Sequence, residues 1–268
     1  MSGEAPAKTR GIDATALARR ASAAIAPFLL LAAAWQLAAW LLPPFLFPSL
    51  ASVLARFGRI ITTAAQFADV LATIGRILAG LAGAFVVGAA IALLMSRAHA
   101  VDRFVSPILT FFQGIPALSW VVFAIIWFHG IEFRIFFIML VTTLPAFTFQ
   151  ILGALRSMSK DLFEMVLSFR PTRARMFRVM VLPSVLPDIV TAWKVNLGNA
   201  ARVVVVAELV GATGGIGYQL LEQQQLFDMA GALAWTLQLV AFVLVVQQLL
   251  SWFERAAFRY RAVSERSL

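Results

Sequence analysis

The stretch RILAGLAGAFVVGAAIALLM, residues 76–95, decides the fold class of this chain. After Arg76 it contains only apolar side chains and glycine. A helix needs about 20 apolar residues, each rising about 1.5 Å, to cross the hydrocarbon core of a bilayer. The stretch is therefore predicted to be a transmembrane helix.

The composition extends this prediction to the whole chain. Of its 268 residues, 61% are hydrophobic and 13% are charged, whereas soluble domains have about 45–50% apolar and about 25% charged residues. The chain has no cysteine and only two histidines, far apart, His99 and His129. A disulfide, a thiolate metal site and a histidine metal cluster are therefore excluded. We expect no metal site and no cofactor in this chain.

Six stretches in all are apolar and long enough to span a bilayer, which predicts an all-α membrane protein. They cover residues 22–42, 76–95, 107–128, 133–153, 189–210 and 231–252. Residues 1–20 are predicted to be a poorly ordered N-terminal tail, residues 21–253 the transmembrane domain, and residues 254–268 a C-terminal tail. The weakly amphipathic segment from Gly58 to Thr73 is predicted to lie along the membrane surface.

The distribution of Lys and Arg orients the spans. Sixteen of these residues lie in the two tails and in the segments on the same side, and four lie on the opposite side. Because cytoplasmic loops carry the excess of positive charge, both termini and the longest basic loop, residues 154–188, are predicted to be cytoplasmic. The excess of Lys and Arg in the cytoplasmic segments also accounts for the net charge of +9, so no nucleic-acid partner is needed to explain it.

The loop 154–188 has a pattern of its own. Residues 161–169 have helical periodicity, and Arg170-Pro171 then ends the helix because a residue before proline avoids the α conformation. A second helix is predicted to follow and to return to the bilayer. The loop is therefore expected to be a compact knob.

This loop resembles the EAA coupling loop of binding-protein-dependent ABC importer permeases. Glu164 matches the glutamate of that pattern, and Leu182-Pro183 falls at the expected distance. The two alanines are replaced by Met165 and Val166, and the glycine by Arg170. Further motifs along residues 45–260 resemble the nitrate/sulfonate/taurine branch: Thr73-Ile-Gly-Arg76, Ile115-Pro116-Ala117-Leu118, Trp127-Phe128-His129-Gly130, and Ala207-Glu208-Leu209 followed by Gly215-Ile216-Gly217.

The resemblance implies a type I ABC importer permease in the bacterial inner membrane, and no enzyme. Such a subunit forms the pathway for a small solute. The resemblance favours an organic or inorganic anion such as a sulfonate, taurine or nitrate, although the same branch also carries nitrogen heterocycles. The expected partners are a second permease copy in a homodimer, ATPase subunits that bind ATP and Mg, a periplasmic solute-binding protein and membrane lipid. The resemblance places ATPase coupling on Glu164, Met165, Ser168, Phe169, Arg170, Thr172 and Arg173.

Polar residues within the spans are candidates for the solute pathway, because ionisable groups are costly there. Asn196, Asn199 and Arg202 are spaced to fan over one side of span five, and Glu208 follows. Arg202 is suited to a carboxylate or sulfonate, or it has a structural role, paired with Glu208 or with a carbonyl group. Gln113 and Ser119 are weaker candidates, since such residues often join helices.

Two other classes of membrane protein are alternatives to a permease subunit. A gradient-driven secondary transporter would need no docking knob, and inverted repeats are typical of that class. A membrane-embedded enzyme would need a catalytic pair or metal ligands in the bilayer. Nothing in the chain matches an ATP-binding loop, and the segment Gly211–Gly217 is interpreted as a turn.

Overall fold

The structure is a computed structural model, and it describes residues 14–158 and 160–257. This part of the chain consists of helices joined by short turns and contains no strand. The helices are α1 (Ala14–Leu41), α2 (Leu50–Thr62), α3 (Ala64–Arg97), α4 (His99–Gly114), α5 (Ala117–Trp127), α6 (Ile131–Arg156), α7 (Lys160–Ser168), α8 (Arg173–Met176), α9 (Leu182–Gly211), α10 (Ile216–Gln225) and α11 (Met229–Ala257).

Four helical segments are long and apolar enough to cross a membrane, namely α3, α6, Ala174–Gly211 and α11. They contain the predicted spans 76–95, 133–153, 189–210 and 231–252, which are confirmed as parts of such helices. All but the last residue of the first predicted span lies in α1, where the described apolar part, Leu29–Leu41, is shorter than a full crossing. That span stays a prediction.

The two predicted tails end inside helices. Helix α1 already begins at Ala14, and α11 continues to Ala257. The remainder of each predicted tail, residues 1–13 and 258–268, lies outside the described residues.

The predicted third span, 107–128, is not one straight helix. It is divided between α4 and α5, which are bent by 95° relative to each other. Pro116 has no N–H to donate, and Ile115 before it is extended, with φ −81° and ψ 124°. The proline therefore ends α4 at Gly114, and the pair counts as a fifth span only if both helices belong to one broken crossing.

The segment from Gly58 to Thr73 is not one surface helix either. Thr63 is extended, with φ −95° and ψ 114°, and it separates α2 from α3. The amphipathic part is α2. It is capped by Ser49, whose hydroxyl accepts a hydrogen bond from the Ser52 amide at 3.3 Å. Residues 64–73 instead form the first turns of the long helix α3.

Helices α3 and α6 pack along each other and form much of the core. Gly80 of α3 permits their close approach, because a Cβ there would lie 2.5 Å from Cβ of Met139. Ile77, Leu81 and Ile138 are fully buried at this contact. Helix α9 packs against both α3 and α6, and these two helices therefore position its polar residues.

The loop after α6 forms the predicted helix, turn and second helix. Helix α7 is followed by a turn at Phe169 to Thr172, and α8 leads through a π-helical turn, Phe177–Val181, into α9. The second helix of the loop is thus continuous with the fifth predicted span, and no helix boundary falls at residue 188.

Candidate functional site

The knob formed by α7 and α8 presents apolar side chains outward. Phe169 is 80% exposed and Met165 is 54% exposed. Glu164 and Ser168 are also exposed, and the Ser168 hydroxyl donates to the Met165 carbonyl at 2.7 Å. Exposed aromatic and thioether side chains are typical of a surface that binds another protein.

The turn of the knob has an unusual backbone. Arg170 has φ +50°, in the left-handed region that favours glycine, and its amide donates to the Leu167 carbonyl at 2.9 Å. The residue that replaces the pattern's glycine therefore adopts a conformation that glycine would adopt at lower cost.

Thr172 immediately precedes the second helix of the knob, α8. Its hydroxyl accepts from the Arg175 amide at 3.4 Å, and its carbonyl accepts from the Met176 amide at 2.9 Å. A groove of about 530 Å³ separates the two helices. It is lined by Val166, Phe169, Arg170, Pro171, Thr172, Arg175, Met176 and Val179. The side chain of Arg173 lies outside the described part.

Of the predicted pathway residues, Asn196 points into the protein. Its side-chain amide donates to Gln150 Oε1 at 2.7 Å and to the Ala192 carbonyl at 2.9 Å, and the residue is buried. The hydrogen bond to Gln150 joins α9 to α6. Asn199 and Arg202 are exposed, so the three residues do not present one common face.

Arg202 and Glu208 do not pair. The Arg202 Nε donates to the Gly198 carbonyl at 3.0 Å, one turn earlier in α9. Within the described residues Arg202 forms no ion pair, and its side chain lies on the exposed face of α9. Of the two structural roles considered from the sequence, only the hydrogen bond to a carbonyl is present.

Glu208 is fully buried in a polar network that the sequence did not predict. Its carboxylate accepts from Arg76 Nη1 at 2.7 Å and from the Gly217 amide at 2.9 Å. The Thr73 hydroxyl lies 2.8 and 2.9 Å from the two carboxylate oxygens and accepts from the Ile216 amide at 2.8 Å. Glu208 therefore holds α3, α9 and the start of α10 together.

The network continues around Arg76 and Asp69. Arg76 also donates to Glu132 of α6 and, at 2.8 Å, to the Gly214 carbonyl. Asp69 accepts from the Gly215 amide at 2.9 Å and from the Gln219 side chain at 2.7 Å. We call Asp69, Thr73, Arg76, Glu132 and Glu208 the α3 anchor.

The α3 anchor explains the glycine-rich segment after α9. Gly215 has φ +111°, and a Cβ there would lie 2.5 Å from Glu208 Oε1. The amides of this turn bond to carboxylates of the chain itself, which agrees with its interpretation as a turn. The signal for this cluster in the sequence was the presence of two ionisable residues, Asp69 and Arg76, in the first half of a long membrane helix.

Gln113 and Ser119 lie on either side of the break between α4 and α5. Gln113 is exposed in the last turn of α4, and Ser119 is half-buried in the first turn of α5. In the described structure neither side chain forms a hydrogen bond, and none joins them to Asn199 or Arg202. The six candidate pathway residues therefore do not lie together in one site in the described structure.

The long apolar helices and the exposed helical knob define an integral membrane protein with a surface suited to a protein partner. A family profile matches residues 84–259, and the chain belongs to that family, the binding-protein-dependent transport system inner membrane components. It is therefore a permease subunit of an ABC importer, a multi-pass inner-membrane protein and not an enzyme. The family works with an ATPase subunit and a binding protein. This membership decides against the secondary-transporter and enzyme alternatives.

Relatives of stated function agree with this assignment. The chain is 28% identical to the formylaminopyrimidine transport permease protein ThiX of Halalkalibacterium halodurans, over 77% of this chain and 83% of ThiX. It is 27% identical to the taurine transport system permease protein TauC of Escherichia coli, over 56% of this chain and 54% of TauC.

A solved structure shows the same fold. The MetNI methionine ABC transporter, in an inward-facing conformation, contains a chain that superposes with a TM-score of 0.66 at 22% identity. The match covers 72% of this chain and 96% of that chain. The type I importer permease fold is therefore confirmed for the greater part of the chain.

Proposed function

We propose that this permease carries a small organic or inorganic anion, such as a sulfonate, taurine or nitrate. The observation that carries the proposal is the exposed guanidinium of Arg202, which has no carboxylate partner among the described residues. A permanently charged, planar donor on an exposed face of α9 suits a carboxylate or sulfonate. Asn199, exposed one turn earlier, offers an amide that can bond to the same anion.

A nitrogen heterocycle is the second candidate for the solute. It is favoured by the similarity to ThiX, which covers more of the chain than the similarity to TauC. Thermal-shift screening of the cognate binding protein with taurine, nitrate and a formylaminopyrimidine tests both candidates. A shift with the heterocycle alone would contradict the anion proposal.

We propose further that the knob couples transport to ATP hydrolysis through Glu164, Met165, Ser168, Phe169, Arg170, Thr172 and Arg173. Two copies of the chain would then form a homodimer, with each knob in a groove of an ATPase subunit. The exposed Phe169 and Met165 support this role, since aromatic and methionine side chains are enriched at protein–protein interfaces. ATP and Mg would bind to the ATPase subunit, and this chain would hold no cofactor.

We also propose six spans with both termini in the cytoplasm and the domain limits predicted from the sequence. The charge bias between the two sides supports this orientation. Cysteine labelling tests it without background, because the native chain has no cysteine. Labelling of a single cysteine at position 5 or 265 from the periplasm would contradict the proposal.

A further inference from the structure

We propose that the ion pair between Asp102 and Arg156 transmits movement of the coupling knob to the broken helix α4–α5. An Arg156 guanidinium nitrogen donates to Asp102 Oδ2 at 2.7 Å. Asp102 is 14% exposed, and its second oxygen accepts from the Ser106 hydroxyl at 3.0 Å. The pair is therefore built into the first turns of α4. The inference rests on the proposed role of the knob.

The position of Arg156 connects it to the knob. It is the last residue of α6, and α7 begins at Lys160. The last turn of α6 is closed by bonds from Ser157, whose amide donates to Gly153 at 2.9 Å and whose hydroxyl donates to Ala154 at 3.0 Å. Because Arg156 lies four positions before the first residue of α7, we infer that a displacement of α7 is transmitted to it.

The position of Asp102 connects it to the break. It lies in the first turn of α4, and α4 ends at Gly114, where the chain bends by 95° into α5. Among the residues that the structure describes, the Asp102–Arg156 pair is the only side-chain hydrogen bond or ion pair that joins α4 to another helix. The Asp102–Arg156 pair is therefore the polar contact through which α4 is joined to the end of α6 that leads into the knob.

The C-terminal end of α4, next to the break, is free to change its angle relative to α5. Ile115 donates to Phe112 at 3.2 Å and Ser119 donates to Pro116 at 3.0 Å, and no backbone hydrogen bond within the described chain crosses the break from α4 to α5. Helix α5 packs against α6 and α9. A rotation of α4 would change its angle to α5 without breaking a helical ladder.

The chain contains a matched control pair at the opposite end of the fold. Arg56 and Asp228 are also 2.7 Å apart, with side-chain exposures of 44% and 22%, against 53% and 14% for Arg156 and Asp102. Asp228, like Asp102, accepts a second bond, from the Gly231 amide at 3.0 Å. This pair joins α2 to the turn before α11 and has no connection to the knob.

The test uses the reconstituted permease–ATPase complex with a fluorescent label on Phe111→Cys, an exposed position in α4 near the break. The probe is ATP with vanadate, and the readout is the change in label fluorescence. We expect Asp102→Asn to reduce this change by about fivefold or more, the range of typical coupling between sites. Asp228→Asn should leave it unchanged, and basal ATP hydrolysis and complex yield should persist in both variants.

The exchange Asp102→Arg with Arg156→Asp should restore the response. The proposal is overturned if Asp102→Asn keeps the full response, if the exchange does not restore it, or if yield falls in parallel with the response. It is also overturned if the label does not respond in the otherwise native chain. Glu164→Lys tests the proposed role of the knob separately. If the fluorescence response persists in that variant, the coupling role of Glu164 is contradicted, and the Asp102→Asn result still tests the ion pair.

Discussion

Arg76 and Glu208, separated by 132 positions in sequence, meet at 2.7 Å in the interior of the helix bundle. The carboxylate is fully buried, and the guanidinium reaches three different segments of the chain through Glu208, Glu132 and the Gly214 carbonyl. A buried charge left without its partner is far more costly than the pair itself contributes. The α3 anchor is therefore expected to be required for the packing of α3, α6, α9 and the start of α10. We do not expect it to contact solute.

Glu208→Ala should lower the yield of folded permease. It leaves Arg76 with Glu132 as its remaining carboxylate and removes the acceptor of the Gly217 amide. A buried group left unsatisfied costs about 1–3 kcal/mol. The measurement is the fraction of detergent-solubilised protein that elutes as a monodisperse complex. Normal yield with lost uptake would assign Glu208 to the pathway instead.

Thr73→Val is the finer test of the same anchor. Valine keeps the shape but loses the hydroxyl, which leaves the Ile216 amide and one Glu208 interaction unsatisfied. An unsatisfied buried group costs about 1–3 kcal/mol, so the thermal stability of the complex should fall. Thr236→Val is the matched control, because that exposed hydroxyl bonds only to the Ala232 carbonyl of its own helix. Equal losses for both variants would contradict the role of Thr73.

The helices were predictable from the sequence where their apolar stretch is uninterrupted. The spans in α3, α6, α9 and α11 follow from hydropathy, which depends only on local composition. The 95° break at Pro116 was not predicted, because a proline within a membrane helix often produces only a kink. The α3 anchor was missed for a different reason, since pairing of Asp69 and Arg76 with the turn after α9 depends on tertiary packing.

Arg170→Asn and Arg170→Val separate backbone conformation from charge in the knob. Both remove the guanidinium, but asparagine tolerates the left-handed region while a β-branched residue is strained there by about 1–2 kcal/mol. We expect Arg170→Val to weaken binding of the ATPase subunit more than Arg170→Asn does. The measurement is co-purification of the ATPase subunit. Equal weakening would show that the charge, and not the turn, matters.

Glu164→Ala and Glu164→Lys test the acidic residue of the knob. Glu164 is exposed, so neither variant leaves a buried group unpaired, and insertion should be unaffected. We expect reduced stimulation of ATP hydrolysis by the loaded binding protein in the reconstituted complex. The expected order is a larger loss for lysine, because it reverses the charge presented to the ATPase. Unchanged stimulation in both variants would remove Glu164 from the coupling contact.

Arg202→Gln tests the exposed guanidinium on α9. Since the Arg202 side chain bonds only to a carbonyl of its own helix, the variant should assemble with normal yield. A hydrogen bond to a charged group is worth about 1.5–3 kcal/mol, so loss of an anion contact should reduce uptake about tenfold or more. Arg202→Lys should recover part of the uptake, because it keeps the charge but loses the planar fork.

Arg134→Gln is the matched control for Arg202, because Arg134 also donates to a backbone carbonyl, that of Gly211 at 2.7 Å. That bond joins α6 to the end of α9, whereas the Arg202 bond stays within α9. We therefore expect the control to lower yield and uptake together, and Arg202→Gln to lower uptake alone. If Arg202→Gln and Arg202→Met also lose yield in step with uptake, and lysine restores both, Arg202 is structural. Normal uptake in Arg202→Gln would exclude an essential contact between this arginine and the solute.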